Sequence, residues 1–201
     1  METSVQAVKY NRDVAMKKIV FILFGFLILL SGCGPLIRYD GTYNGKIIDA
    51  DTGDPISGVV VLGVWYRVYP GIAGSSSHFN DARETVTDEN GEFSIPGKGL
   101  SILLEFNVLI FKAGHECDYG LWESLKISNP WSTKKIRWEG DKAIIPLRKL
   151  TMEERIKRGT PPSPPFKAPF EKVKLYLKEK NKERKAQGLK PLTLWGGVRY
   201  E

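Results

Sequence analysis

From residue 42 to residue 150 the sequence breaks into short β-type runs separated by clusters of Gly, Pro, Asn and Asp, with no stretch of helical periodicity long enough to use. This punctuation limits the fold more than any other feature, because strands that follow one another at such spacing pair antiparallel, whereas a parallel sheet needs crossover helices. Residues 43–48 read as a first strand, stopped by the turn cluster Asp49-Ala50-Asp51-Thr52-Gly53-Asp54-Pro55. Residues 59–68 are rich in Val, Trp and Tyr and apolar as far as Arg67, which predicts a strand covered on both faces or central in its sheet. Residues 69–82 hold Pro70, Gly71, Gly74 and three consecutive serines and read as a long surface loop. Residues 84–87 and 92–95 flank Asp88-Glu89-Asn90-Gly91, where Asn90 and Gly91 both tolerate the positive φ of a type I′ turn, so a hairpin is expected. Residues 101–112 are the most apolar run of this region, Ala113-Gly114-His115 breaks it, and 143–147 read as the last strand. About seven short strands in about a hundred residues predict an all-β, two-sheet antiparallel sandwich.

With 201 residues, 42% of them hydrophobic, the chain can build one ordinary domain and is not a disordered polymer. Two cysteines exclude a disulfide framework. The net charge of +7 is unevenly spread. Residues 33–146 carry 11 basic and 15 acidic side chains, whereas residues 147–201 carry 15 and 6. The basic character therefore belongs to a tail, and it does not by itself point to nucleic acid, which is not expected as a partner.

The N-terminal segment reads as an address. Lys17 and Lys18 precede a twelve-residue apolar run, residues 19–30, and then Ser31, Gly32 and Cys33. At about 1.5 Å per residue the run covers about 18 Å, short of the roughly 30 Å hydrocarbon core. The ending Leu30-Ser31-Gly32-Cys33 resembles the lipobox of bacterial lipoproteins. That resemblance implies a diacylated Cys33, the thioether carrying palmitate-type chains, and removal of residues 1–32 as a signal peptide, with translation expected to start at Met16. It also implies a tether over residues 33–41, a membrane as partner through Cys33 and a place in the bacterial cell envelope. Gly34, not Asp, follows the cysteine, which implies outer-membrane sorting in a Gram-negative cell. Two or three acyl chains anchor stably where one is marginal.

Within residues 42–150, Gly45-Lys46-Ile47-Ile48-Asp49, then Thr52-Gly53-Asp54-Pro55-Ile56-Ser57-Gly58-Val59-Val60-Val61, then Thr85-Val86-Thr87-Asp88-Glu89-Asn90-Gly91-Glu92-Phe93-Ser94-Ile95 resemble the carboxypeptidase regulatory-like domain, a transthyretin-like or prealbumin-type β-sandwich. The residues explain the pattern: Gly53 and Pro55 shape the first turn, Gly91 supplies positive φ, and Phe93 and Ile95 alternate with Glu92 and Ser94, which puts the apolar pair on the core face.

Chemistry is sparse in the sequence. His78 and His115 are the two histidines and neither has Glu three residues on, so a carboxypeptidase-type zinc pair is absent. His115-Glu116-Cys117-Asp118 alternates faces in an extended strand, and the aspartates at 49, 51, 54 and 88 lack calcium-loop spacing, so no metal and no cofactor are expected. Relatives that hydrolyse hydroxyisourate carry a Tyr-Arg-Gly-Ser motif, where this sequence has Val198-Arg199-Tyr200-Glu201. Trp122, Trp131 and Trp138, in a weakly patterned region, are candidates for an aromatic patch against a protein or glycan, with core cover as the plainer alternative.

In the tail, residues 151–158 read as a short helix capped by Thr151, 160–165 as a stiff proline-rich spacer, and 170–187 as an amphipathic helix stopped by Gly188 and Pro191. Phe166, Phe170, Val173 and Leu177 form its apolar stripe, which either docks a partner or membrane or folds back on the sandwich. The expectation is a lipid-anchored envelope protein presenting a noncatalytic β-sandwich as a binding or structural module. The alternatives are a small transthyretin-fold enzyme using His78, and an assembly or adhesion accessory docking through the tail.

Overall fold

The computed structural model describes residues 16–21, 37–71, 74–122, 136–195 and 197–199. The chain forms two compact units, Met1–Arg38 and Tyr39–Glu201. In the first, residues 16–21 are helical. The signal run beyond Phe21 lies outside the described residues, as do Leu30, Ser31, Gly32 and Cys33. No described helix is long and apolar enough to cross a membrane.

The strands are β1 (Ile37–Asp40), β2 (Tyr43–Asp49), β3 (Val60–Gly71), β4 (Gly74–Val86), β5 (Glu92–Ile95), β6 (Gly99–Ile102), β7 (Leu104–Phe111), β8 (Asp118–Leu121), β9 (Arg137–Glu139), β10 (Lys142–Leu147), β11 (Leu194–Trp195) and β12 (Val198–Arg199). The helices are α1 (Met152–Arg158) and α2 (Lys174–Ala186). Two four-stranded sheets, ordered β5-β2-β10-β9 and β4-β3-β7-β8, pack as a sandwich-like body, and β1–β6 and β11–β12 are small ribbons. Within the two four-stranded sheets neighbours are antiparallel except β2 and β10, which run parallel from Asn44↔Lys142 to Asp49↔Leu147.

Strand β3 explains the architecture. Its odd positions Val61 and Trp65 join Phe106, Val108 and Ile110 of β7 against Tyr43, Ile47, Phe93, Ile95, Ala143 and Ile145 of the facing sheet. Its even positions Val60, Leu62 and Val64 meet Val173, Tyr176 and Leu177 of the C-terminal segment on the outer face. A strand buried on both sides needs an unbroken apolar run, and residues 59–66 supply it. The amphipathic tail helix thus folds back on the sandwich, through α2 and the turn Phe170–Lys172 before it. Helix α1 carries the expected cap, with the Thr151 hydroxyl accepting from the Glu154 N–H and the Glu154 carboxylate accepting from the Thr151 N–H.

Three expectations are corrected. Residues 69–82 are not a loop: β3 and β4 stay paired from Val60↔Val86 out to Gly71↔Gly74, with an irregularity at Trp65/Tyr66, and β7 ceases to flank β3 beyond Arg67. The serines are strand residues of an exposed two-stranded arm. Asn90-Gly91 is not a hairpin turn, because β4 and β5 belong to different sheets. Asn90 keeps negative φ, and the Asp88 carboxylate accepts from the Asn90 and Glu92 N–H groups at 3.0 and 2.7 Å, so the turn carries the chain across the sandwich. Gly91 is required twice over: its φ is 73°, and a Cβ there would lie 2.4 Å from the Ile47 carbonyl oxygen. Gly53 (φ 80°) and Pro55 likewise close a tight turn, with Pro55 bridged to Ile48, before β3 departs to the other sheet. The apolar run 101–112 is divided at Leu103, whose φ of 53° separates β6 from β7.

Candidate functional site

The most elaborate polar arrangement surrounds the point where the chain joins the sandwich. Asp40 is buried, and its carboxylate accepts from the Trp65 Nε1–H at 2.7 Å, from the Lys98 N–H at 2.8 Å and from the Tyr43 hydroxyl. A buried carboxylate is tolerable only with such donors. Trp65 extends inward from β3, fully buried, with the Phe106 ring 4.8 Å from its own. The guanidinium of Arg83 and the ammonium of Lys98 lie 5.3 and 5.5 Å from the centre of the Trp65 ring, cation–π distances. Arg83 also donates to the Pro96 carbonyl at 2.6 Å, fixing the segment that leads to β6.

Asp81, on β4 opposite Trp65, pairs with Lys98 and with Lys172 of the C-terminal segment. This carboxylate therefore ties together the two ends of the unit. Burial works to raise its pKa, but the Lys172 and Lys98 ammonium groups and the Ala82 N–H hold it down at about 2. Its pKa in the unfolded chain is about 3.9, so the stability it contributes is present above that value and is lost as pH falls from about 4 towards 2. Urea titrations of wild type and Asp81→Asn should differ at pH 6 and converge below pH 3. A constant difference across this range would remove the ion pairs from the account.

Of the three tryptophans, Trp122 and Trp138 are described, and neither belongs to an exposed patch. Trp122 is 3% exposed, stands edge-on to Tyr43 at 5.4 Å, and packs on Trp138 at 5.6 Å and 87°. Trp138 is partly buried against the same core, so both serve as core cover; Trp131 lies outside the described residues. His78 sits exposed on the β4 arm, facing the Tyr69 ring edge-on at 5.2 Å and Arg67 across the ladder.

A second polar seam joins the opposite end of the sandwich to α2. Glu179 accepts from the Ala113 N–H at 3.0 Å and Glu183 from the Gly114 N–H at 2.8 Å, while Arg155 of α1 binds Glu183 at 2.7 Å. Burial pushes against the charge on Glu183, and Arg155 and the Gly114 N–H lower its pKa nonetheless. Beside it a cavity of about 150 Å³ is bounded by His115, Cys117, Arg155, Pro162 and Glu183. Burial lowers the pKa of His115, which keeps its imidazole neutral at pH 7. Among the described residues no three His, Cys, Asp or Glu side chains converge to hold a metal ion. The sequence pattern did not single out Asp40, Asp81, Glu179 or Glu183 for these roles. The last two were legible only as positions i and i+4 beside Tyr176, on the face that α2 buries.

No family model and no curated protein matches this sequence. Among solved structures, the pilus adhesin RrgA from Streptococcus pneumoniae is similar over 57% of this chain and 16% of the adhesin, at 12% sequence identity and a TM-score of 0.35.

Proposed function

We propose that this chain is a lipid-anchored protein of the bacterial envelope whose sandwich is a noncatalytic binding or structural module of the prealbumin, carboxypeptidase regulatory-like kind. The observation that carries the reading is the order Lys17-Lys18, apolar run, Leu30-Ser31-Gly32-Cys33. The body behind that address supports it. Its buried carboxylates at 40, 81, 179 and 183 are engaged by backbone N–H groups and basic side chains, which is what a rigid scaffold asks of them. The prealbumin assignment draws support from Gly53 and Pro55 closing the turn after β2, from Gly91 seated against Ile47, and from Phe93 and Ile95 pointing into the core.

The tail does not read as a free docking arm, since Val173, Tyr176 and Leu177 are at 0% exposure beneath β3. Metabolic labelling with a palmitate analogue tests the anchor. Wild type should carry the label and partition with membranes, and Cys33→Ala should lose it entirely. An unlabelled wild type ends the proposal.

A further inference from the structure

Four large apolar side chains stand exposed at one end of the sandwich: Tyr39 at 79%, Leu100 at 77%, Ile102 at 53% and Tyr69 at 49%. Scattered singly such residues need no explanation, but gathered at one place they mark a surface that meets something. The backbone gathers these. Asp40 holds the Lys98 N–H, and Gly97 lies so close to the Asp40 and Gly41 carbonyls that a Cβ on it would sit 2.2 and 2.0 Å from them, so Tyr39 stands next to the start of β6. Strand β6 alternates, with Ser101 buried and Leu100 and Ile102 outward. Leu103 then accepts the Val68 N–H at 2.8 Å, which brings the base of the β3–β4 arm, with Tyr69, to the same end. Basic groups ring this tip: Arg67 exposed on the arm, Lys98, and Lys172 beside it on Asp81. The acidic groups there are Asp40, which is buried, Asp81, which is paired with both lysines, the exposed Glu105 opposite Tyr66, and the exposed Glu171 beside Lys172, paired with Lys174.

We propose that this end is a membrane-docking face, with Tyr39, Tyr69, Leu100 and Ile102 settling into the headgroup layer of a bilayer. The inference rests on the lipid anchor at Cys33. Five residues lie between Cys33 and Tyr39, a reach of about 20 Å when fully extended, so an anchored chain keeps this end near lipid. Tyrosine suits the boundary because its ring is apolar and its hydroxyl wet. The opposite end differs. Ile156 is exposed there on α1, which Arg155 holds to Glu183 near the far end of α2, and the thirteen residues of α2 span about 20 Å from the Lys172 side.

The test uses the full chain reconstituted in vesicles of phosphatidylcholine with phosphatidylglycerol. Leu100→p-benzoylphenylalanine and Ile102→p-benzoylphenylalanine are irradiated alongside Ile156→p-benzoylphenylalanine, and adducts are read by mass spectrometry. Lipid adducts from positions 100 and 102 should exceed those from 156 by at least about tenfold, because an apolar side chain at the interface sinks only about 5–10 Å into it. Equal yields, or adducts to a second copy, overturn the docking face. The mass of the Cys33 peptide from the same sample reports the anchor separately. An unacylated Cys33 with strong lipid adducts at position 100 overturns the anchor and leaves the face standing. An acylated Cys33 without those adducts does the reverse.

Discussion

A chain ended after Gly159 is expected to be insoluble, or to lack a cooperative unfolding transition, although both sheets remain in it. Removing residues 160–201 strips the outer face of β4-β3-β7, where Val60, Leu62, Val64, Leu109 and Phe111 are packed under Ala168, Val173, Tyr176, Leu177 and Trp195. Each large apolar side chain returned to water costs about 1.5–3 kcal/mol, so five of them match the roughly 5–15 kcal/mol by which a domain is stable. Polar contacts go with them. Glu84 accepts from the Leu175 and Tyr176 N–H groups, and Tyr176 donates to the Pro162 carbonyl at 2.9 Å. The subtler variant Leu177→Ala should fold and lose about 2–5 kcal/mol, since it opens a cavity at a fully buried site. Soluble yield and urea unfolding followed by circular dichroism decide the matter. A truncated chain that stays soluble and unfolds at the wild-type midpoint would make the C-terminal segment an appendage after all.

That result bears on what the sequence could disclose. The apolar run at 59–66 announced a strand covered on both faces or central in its sheet, and the stripe of Val173 and Leu177 announced a helix that needed a surface; the pairing of the two required the structure. Beside that stripe Glu179, Lys180 and Glu183 count as solvated in any hydropathy pattern, yet all three are buried, engaged by the Ala113 N–H, the Ser163 hydroxyl and the Gly114 N–H. Polar residues that satisfy backbone groups of a distant turn leave no periodic trace. The turn at Asn90-Gly91 was misjudged for a related reason. Local chemistry specifies a reversal of the chain, but whether the flanking strands share a sheet depends on partners far away: β5 finds β2 through Tyr43↔Ile95, while β4 stays on β3. The arm at 74–80 escaped because serine and glycine read as loop residues, and its β pairing is dictated by the partner strand rather than by propensity. Within the polar arrangement around Asp40, Trp65 was legible as a core residue, whereas its role as donor to a carboxylate 25 positions earlier was not.

Trp65→Ala should then be the most damaging single substitution in the body. Trp65 is the largest fully buried side chain, with Phe106 at 4.8 Å and Tyr43 at 6.4 Å between ring centres. Deleting a buried aromatic costs about 3–5 kcal/mol through lost transfer energy and the cavity left behind. Asp40 would also lose its 2.7 Å donor while remaining buried, and Arg83 and Lys98 would lose the ring they flank. Losing one hydrogen bond to a buried carboxylate, with Lys98 and Tyr43 still donating to it, adds a further cost of about 1.5–3 kcal/mol. For a chain of this size about 2–4 °C of Tm follows each kcal/mol, so a fall of more than about 10 °C is expected. Trp65→Phe separates the two contributions, since it keeps most of the aromatic volume and removes only the indole N–H. It should cost less than half as much, and adding Asp40→Asn to it should cost less than Asp40→Asn does in wild type, because the two side chains share one hydrogen bond. Additive losses in that double-mutant cycle would show that the hydrogen bond from Trp65 to Asp40 contributes nothing. They would leave the anchoring of the chain at this end to Lys98 and Tyr43 alone.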